Sequence, residues 1–244
     1  MKIRTLFLSM FLLLNVNNPA WADNHSGVTL ISTELMSGLL EKREGMIEGI
    51  YPDFFAQAAS KAGVTIDYRI VPWSRAVLET EKSKKYLLFP FTRTSEREER
   101  FSWLAKLWEV PICFISSTRP MNSFEEAKLA EGIMVWRGSS HQQKLVELGF
   151  ANLIPFDDPR LVKRVLSRRD NVAWYTPCNE GLSLLGMFNA EQPIIIGKVV
   201  DHEEVWLAGG KHYLSTDERQ RFLDAVGELA PEGTLRRRIL IEGR

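Results

Sequence analysis

The residues best placed to do chemistry gather at one junction, Phe89-Pro90-Phe91-Thr92-Arg93-Thr94-Ser95-Glu96-Arg97, where an apolar run gives way to a charged one. A strand over residues 86–91 followed by a helix start at Thr94 would leave unpaired N–H groups and the positive end of a helix dipole beside Thr92, with Arg97 one turn in. That is chemistry for an anion. A carboxylate there could take a forked pair of hydrogen bonds from Arg97 and a third from the Thr92 hydroxyl. The competing reading is a solvated face on which Glu96, Arg97, Glu98, Glu99 and Arg100 make only local ion pairs.

Other reactive residues are sparse. His25, His141, His202 and His212 have no metal-ligand spacing to one another or to a cysteine, so no metal is expected, nor any other cofactor. Cys113 and Cys178, each in apolar surroundings, are too few for a disulfide scaffold; one bridge and two buried thiols both stay open.

The elements that must position the junction follow from the hydrophobic pattern. Residues 1–22 read as a secretory signal: Lys2 and Arg4, an apolar run over 6–14, and Ala20-Trp21-Ala22 as the cleavage site. The run is too short to span a bilayer, which takes roughly 20 residues. The chain carries 31 basic and 31 acidic residues; losing Lys2 and Arg4 leaves 29 against 31, a net charge of −2 and no basic surface for nucleic acid. Residues 28–33, 64–71 and 86–91 read as strands, alternating with helices over 52–62 and 73–81. The second half repeats the scheme. Strands are expected over 110–117, 133–136, 153–156, 171–175, 193–200 and 204–208. Between them, Ser123 opens a capping box, Gly138-Ser139-Ser140 starts a helix, and Asp157-Asp158-Pro159 starts another; Ser215-Thr216-Asp217-Glu218 caps a later one, and a last short helix falls within 234–242. Two α/β halves without a linker imply two lobes meeting along a cleft, with ligand outside the carboxyl ends of the strands.

Five pieces in this order, Gly49-Ile50-Tyr51-Pro52-Asp53, Val71-Pro72-Trp73-Ser74-Arg75-Ala76, Thr92 to Arg97, Gly138-Ser139-Ser140 and Arg169-Asp170-Asn171-Val172-Ala173, resemble the type II periplasmic solute-binding proteins. That group includes the polar amino-acid binding proteins of ABC transporters, and the resemblance spans essentially the whole mature chain. It implies a two-lobed α/β fold, each lobe a mainly parallel sheet flanked by helices. Lobe 1 would comprise residues 23–107 and 210–244 and lobe 2 residues 114–203, with hinge crossings near 108–113 and 204–209. It also implies a periplasmic monomer that closes on a small carboxylate-bearing solute and presents the closed form to an ABC permease or a membrane sensor.

In similar proteins the residues matching Thr92 and Arg97 hold the ligand carboxylate, those matching Ser139 and Ser140 donate from the opposite lobe, and the aromatic matching Trp73 lies against the ligand side chain. This sequence departs from the pattern where the Asp that neutralises an α-ammonium is expected, since Tyr175 stands there after Trp174, and Lys85 stands where another Asp is common. Glu34 could supply the missing charge. Trp73, Trp174 and Tyr175 together imply an aromatic-lined cleft suited to a flat acid or a cation stacked on a ring, with Trp108 either a rim residue or plain packing. Arg75, in the first turn of its helix where the dipole disfavours a cation, needs a partner, either an internal carboxylate or a ligand anion. Periplasmic cyclohexadienyl dehydratases also resemble this group. That alternative needs an acid in the cleft, for which Glu180 is the candidate, with a surface position at a helix start as its plainer reading.

Overall fold

The computed structural model describes residues 27–35, 38–185 and 193–231, so the secretory segment and the last short helix expected from the sequence lie outside the described residues. The first half runs β1 (Val28–Ser32), a small hairpin of β2 (Glu41–Arg43) and β3 (Met46–Glu48), α1 (Ile50–Ala62), β4 (Ile66–Ile70), α2 (Trp73–Lys82) and β5 (Tyr86–Thr92). The long strand β6 (Phe101–Ser116) then leads to α3 (Phe124–Lys128), β7 (Gly132–Trp136), α4 (Ser140–Glu147), β8 (Leu153–Phe156), α5 (Arg160–Leu166), β9 (Val172–Pro177), α6 (Cys178–Leu185) and β10 (Ile195–Ile196). Strand β11 (Asp201–Gly210) returns to the first half, where α7 (Asp217–Leu229) follows.

Each half holds a parallel three-stranded unit, β4-β1-β5 in one and β9-β7-β8 in the other. Strands β11 and β6 join them into one sheet through an antiparallel ladder that runs from Phe101 opposite Gly210 to Ile112 opposite Asp201. The parallel strands are connected through helices, as their direction requires. Among the described residues, no helix is long and apolar enough to cross a membrane.

Local chemistry fixes the elements. Gly49 opens α1 at φ 128°, and a Cβ there would come within 2.5 Å of the Leu39 carbonyl oxygen; Gly63 ends the helix in the left-handed region at φ 66°. The inward face of α1 carries Phe54, Phe55 and Ala58, and the Phe55 ring meets Phe89 of β5 edge-on at 4.5 Å and Phe222 of α7 at 6.1 Å. In the second half Phe114, Trp174 and Tyr175 are wholly buried. Each such side chain removed from water contributes about 2 kcal/mol.

Three sequence expectations change. The charged stretch after Thr94 is a single 3-10 turn, Ser95–Arg97, with no side-chain cap, because β6 begins at Phe101 and leaves no room for a longer helix. The strand expected from residue 110 is the second part of β6, so the chain crosses between the halves within a continuous strand whose backbone is paired by β11. The strand expected over 193–200 contracts to the two residues of β10, paired with the end of β6. Cys113 and Cys178 form a disulfide, Cα–Cα 5.1 Å, which ties β6 to the first residue of α6.

Candidate functional site

The carboxyl ends of the parallel strands converge on a cleft between the halves, with about 630 Å³ of space including its open mouth. Thr33 follows β1, Thr92 ends β5, Ser139 follows β7 and Pro177 ends β9, and all four line it. Its aromatic wall comprises Tyr51, Trp73, Trp108 and Trp136, with Tyr51 and Trp108 stacked at 5.2 Å. Glu180, Glu203 and His141 supply ionisable groups.

The opposite lobe presents the start of α4. Ser139 is its N-cap: the hydroxyl accepts from the Gln142 N–H at 3.2 Å and donates to the Trp136 carbonyl at 2.7 Å. Gly138, at φ 69°, brings the backbone close to the facing half, since a Cβ there would lie 3.7 Å from Ser74 Oγ of α2.

Arg97 is buried, its guanidinium 4.4 Å from the centre of the Phe91 ring and its Nη1 donating to the Thr92 carbonyl at 3.0 Å. It opens onto an adjoining groove between α2 and α4, shared with Ser74, Gly138, Ser139 and Gln142. Burial pulls its pKa down to about 10, against the opposing pull of the Glu203 charge. Ser139 borders both the groove and the main cleft.

Glu203 is the hub of the polar contacts. Its Oε2 accepts from the Thr92 hydroxyl at 2.9 Å and lies 3.1 Å from His141 Nε2, so one carboxylate on β11 links the end of β5 in one half to α4 in the other. Burial alone would raise its pKa, but His141, the Thr92 hydroxyl and the Lys144 charge outweigh it and hold Glu203 below the usual carboxylate range. Burial likewise works to lower the His141 pKa, and the Glu203 charge and hydrogen bond, with Glu180 behind them, turn it upward. Glu180, 8% exposed, is pushed up to about 7 by burial, with the Thr176 hydroxyl bond and the His141 charge opposing.

Of the residues singled out in the sequence, Thr92, Trp73, Ser139 and Ser140 line the cleft and Arg97 the adjoining groove. Trp174 and Tyr175 do not line it. Strand β9 is an interior strand, so its side chains fill the second half's core: Trp174 packs near Phe156, and the Tyr175 hydroxyl donates to Asp201 at 3.3 Å. Arg75 is also outside, exposed and paired with Glu79 at 2.6 Å one turn on, which supplies the partner its position demanded. Glu34 is exposed just beyond β1, with its charge acting on Arg160 of the other half. Glu180 is buried in the cleft rather than on the surface.

Sequence reasoning passed over Tyr51, Trp136, His141 and Glu203. The alternation Glu203, Val205, Leu207 along β11 carries a signal for one of them, since it puts a carboxylate in phase with two inward apolar residues. Among the described residues no group of three or more His, Cys, Asp and Glu could hold a metal ion.

No protein-family model matches the sequence, and no curated protein matches it. Solved structures do. An amino acid ABC transporter substrate-binding protein from Streptococcus pneumoniae, bound to L-arginine, superposes with a TM-score of 0.72 at 13% identity over 88% of this chain and 93% of its own. An ancestral arginine-binding protein bound to arginine gives 0.72 at 18% identity, covering 87% and 96%. A histidine kinase sensor domain with similarity to periplasmic binding proteins gives 0.74 at 14% identity, covering 90% and 96%. The fold is therefore the two-lobed type II periplasmic-binding-protein fold.

Proposed function

We propose that this chain is an extracytoplasmic solute-binding protein that captures a small carboxylate-bearing solute, amino-acid-like or an aromatic acid, between its lobes and turns nothing over. The lobes are residues 23–107 with 210–244, and residues 114–203. The hinge lies where β6 and β11 cross between them, near 108–113 and 204–209. The observation that carries this reading is the buried guanidinium of Arg97 sharing one groove with the N-terminus of α4, at Gly138, Ser139 and Gln142. Anion donors from both halves meet only when the halves are together, so an anion bound there shifts the hinge equilibrium toward closure. Structural neighbours that are substrate-binding proteins support the class, and a neighbour that is a sensor domain keeps a membrane sensor beside an ABC permease as the partner.

A thermal-shift screen of amino acids, small carboxylates and aromatic acids tests it. A solute at 100 times its Kd should stabilise the protein by about 2.7 kcal/mol. Arg97→Ala should abolish that shift, and a shift retained in full would remove Arg97 from the site.

Glu180 favours a second reading. A cleft carboxyl with a pKa near 7, beside His141, has the protonation balance of a general acid, as a dehydratase on this scaffold would need. Conversion of prephenate by the purified chain would establish that reading; recovery of an intact, stoichiometrically bound solute would exclude it.

A further inference from the structure

The Thr92 hydroxyl has one proton to give, and a side chain of this protein already takes it. It donates at 2.9 Å to Oε2 of Glu203, the same oxygen that lies 3.1 Å from His141 Nε2. Glu203 is buried at the third position of β11, so the chain places a carboxylate of its own where the end of β5 meets the first turn of α4. Of the charges that act on Arg97, that of Glu203 is the strongest, ahead of Glu96, although Arg97 forms no ion pair among the described residues. Glu203 borders both the main cleft and a second groove beside Ser140 and Lys144, which leaves its side chain space to move aside. A buried carboxylate held by the β5 hydroxyl, in the field of the Arg97 guanidinium, has the chemistry that the site would ask of a solute.

We propose that Glu203 is an internal competitor for the carboxylate site: it holds the Thr92 hydroxyl and balances the Arg97 charge, and a solute carboxylate gains both only by displacing it. This rests on the carboxylate-binding reading of the Arg97 site and adds what that site must give up when a solute binds. One hydroxyl proton cannot serve two carboxylates, and two ionised carboxylates beside one guanidinium repel each other. What favours the solute is reach, since a free carboxylate can pair directly with Arg97 as Glu203 does not.

The exchange has a bounded cost. A hydrogen bond to a charged group is worth a factor of about ten to a hundred in an equilibrium constant, and Glu203 loses one such bond, from Thr92, while keeping His141 and the Lys144 charge. Glu203 therefore lowers the affinity of the site by about that factor and raises the concentration at which a solute closes the halves. Because Thr92 lies in one half and His141 in the other, displacement also removes a polar tie between them, which the bound solute replaces with its own contacts. A Glu203 that served only as that tie would, on removal, loosen the protein without creating affinity for any carboxylate.

The test melts the full chain in sodium acetate and in sodium chloride of equal ionic strength, as wild type, as Glu203→Ala, as Glu203→Gln and as each of these variants with Thr92→Val. Acetate is the carboxylate that truncation at Glu203 makes room for. It should raise the Tm of Glu203→Ala above its value in chloride, with an affinity, read from the concentration dependence of the shift, at least tenfold above that for the wild type. Adding Thr92→Val should abolish the rise. Glu203→Gln keeps an acceptor for Thr92 without the charge and should show a smaller rise, which decides the matter if Glu203→Ala does not fold. An equal acetate response in wild type and variants, no response in either variant, or a rise that survives Thr92→Val would each overturn the proposal. The solute-binding reading is judged separately, by the screen on the wild-type chain. A solute bound there through Arg97 while acetate does nothing for the variants would leave that reading intact and remove the competitor. Acetate rescue of the variants in a chain that binds no solute would uphold the competitor and remove the solute.

Discussion

At the scale of single residues, the cleft gathers groups that folding alone would not select. Glu180 loses its hydration on folding, and its pKa rises from an ordinary carboxylate value of 4.5 to about 7. A carboxyl raised in the folded state contributes stability that is complete below about 4.5 and is lost as pH climbs to about 7; at 1.36 kcal/mol per pKa unit the loss is roughly 3 kcal/mol. His141, also raised, loses its share on the same alkaline side, starting from 6.5. Glu203, held low, does the opposite, and its contribution fades only as pH falls below 4.5. Glu180→Gln should therefore gain stability over wild type by roughly 3 kcal/mol at pH 8 and by little at pH 4.5, as read by denaturant melts at the two pH values. Equal differences at both would mean that Glu180 is not desolvated. The residue scale is also where the sequence was least informative. Thr92, Trp73, Ser139 and Ser140 could be placed because strand ends and helix starts are written locally. Tyr175 and Trp174 could not, since whether a strand has one covered face or two depends on its neighbours in the sheet, and β9 has β6 on one side and β7 on the other.

At the scale of elements, what positions Glu180 is the start of α6, and the disulfide anchors that start. Cys178 is the first residue of the helix, two before Glu180, and Cys113 sits on β6 among fully buried neighbours such as Ile112 and Phe114. Joining chain positions 65 residues apart restricts the unfolded ensemble, so Cys113→Ser with Cys178→Ser should destabilise by about 4 kcal/mol and lower Tm. The same double variant, assayed where it is still folded, should bind its solute more weakly, because the helix start that holds Glu180 is released. An affinity unchanged at full folding would show that the bridge serves stability alone. The parallel units and most helices were legible because their patterns are local: Gly63 stops α1, Ser123 caps α3 and Thr216 caps α7. The continuity of β6 was not. Its residues lack a clean alternation, and only pairing with β11, about a hundred residues further on, makes one strand of them.

At the scale of the whole molecule, two strands carry the connection between the halves. Because β6 and β11 pair with each other as they cross, the proposed closure, a turn of the halves about that ladder, would leave both parallel units intact and would be limited where the halves approach each other. One touch is polar, Thr92 and His141 meeting on Glu203. Another close approach is that of Gly138 to Ser74 on the exposed side of α2, where a Cβ added at Gly138 would lie 3.7 Å from Ser74 Oγ. A large side chain at Ser74 fits the free helix surface but not the closed gap, so Ser74→Trp should leave Tm within a degree or two of wild type while holding the halves apart. Small-angle scattering should then record a radius of gyration that shrinks on addition of a binding solute in the wild type and does not in the variant, whose affinity should be weaker by tenfold or more. The proposed anion donors on the two sides, Arg97 and the start of α4, would each still be present in that variant, simply too far apart to share a ligand. If Ser74→Trp bound its solute with wild-type affinity and still contracted, closure would not pass through the Gly138 contact, and the hinge would have to be sought elsewhere than in the turn of these two halves about β6 and β11.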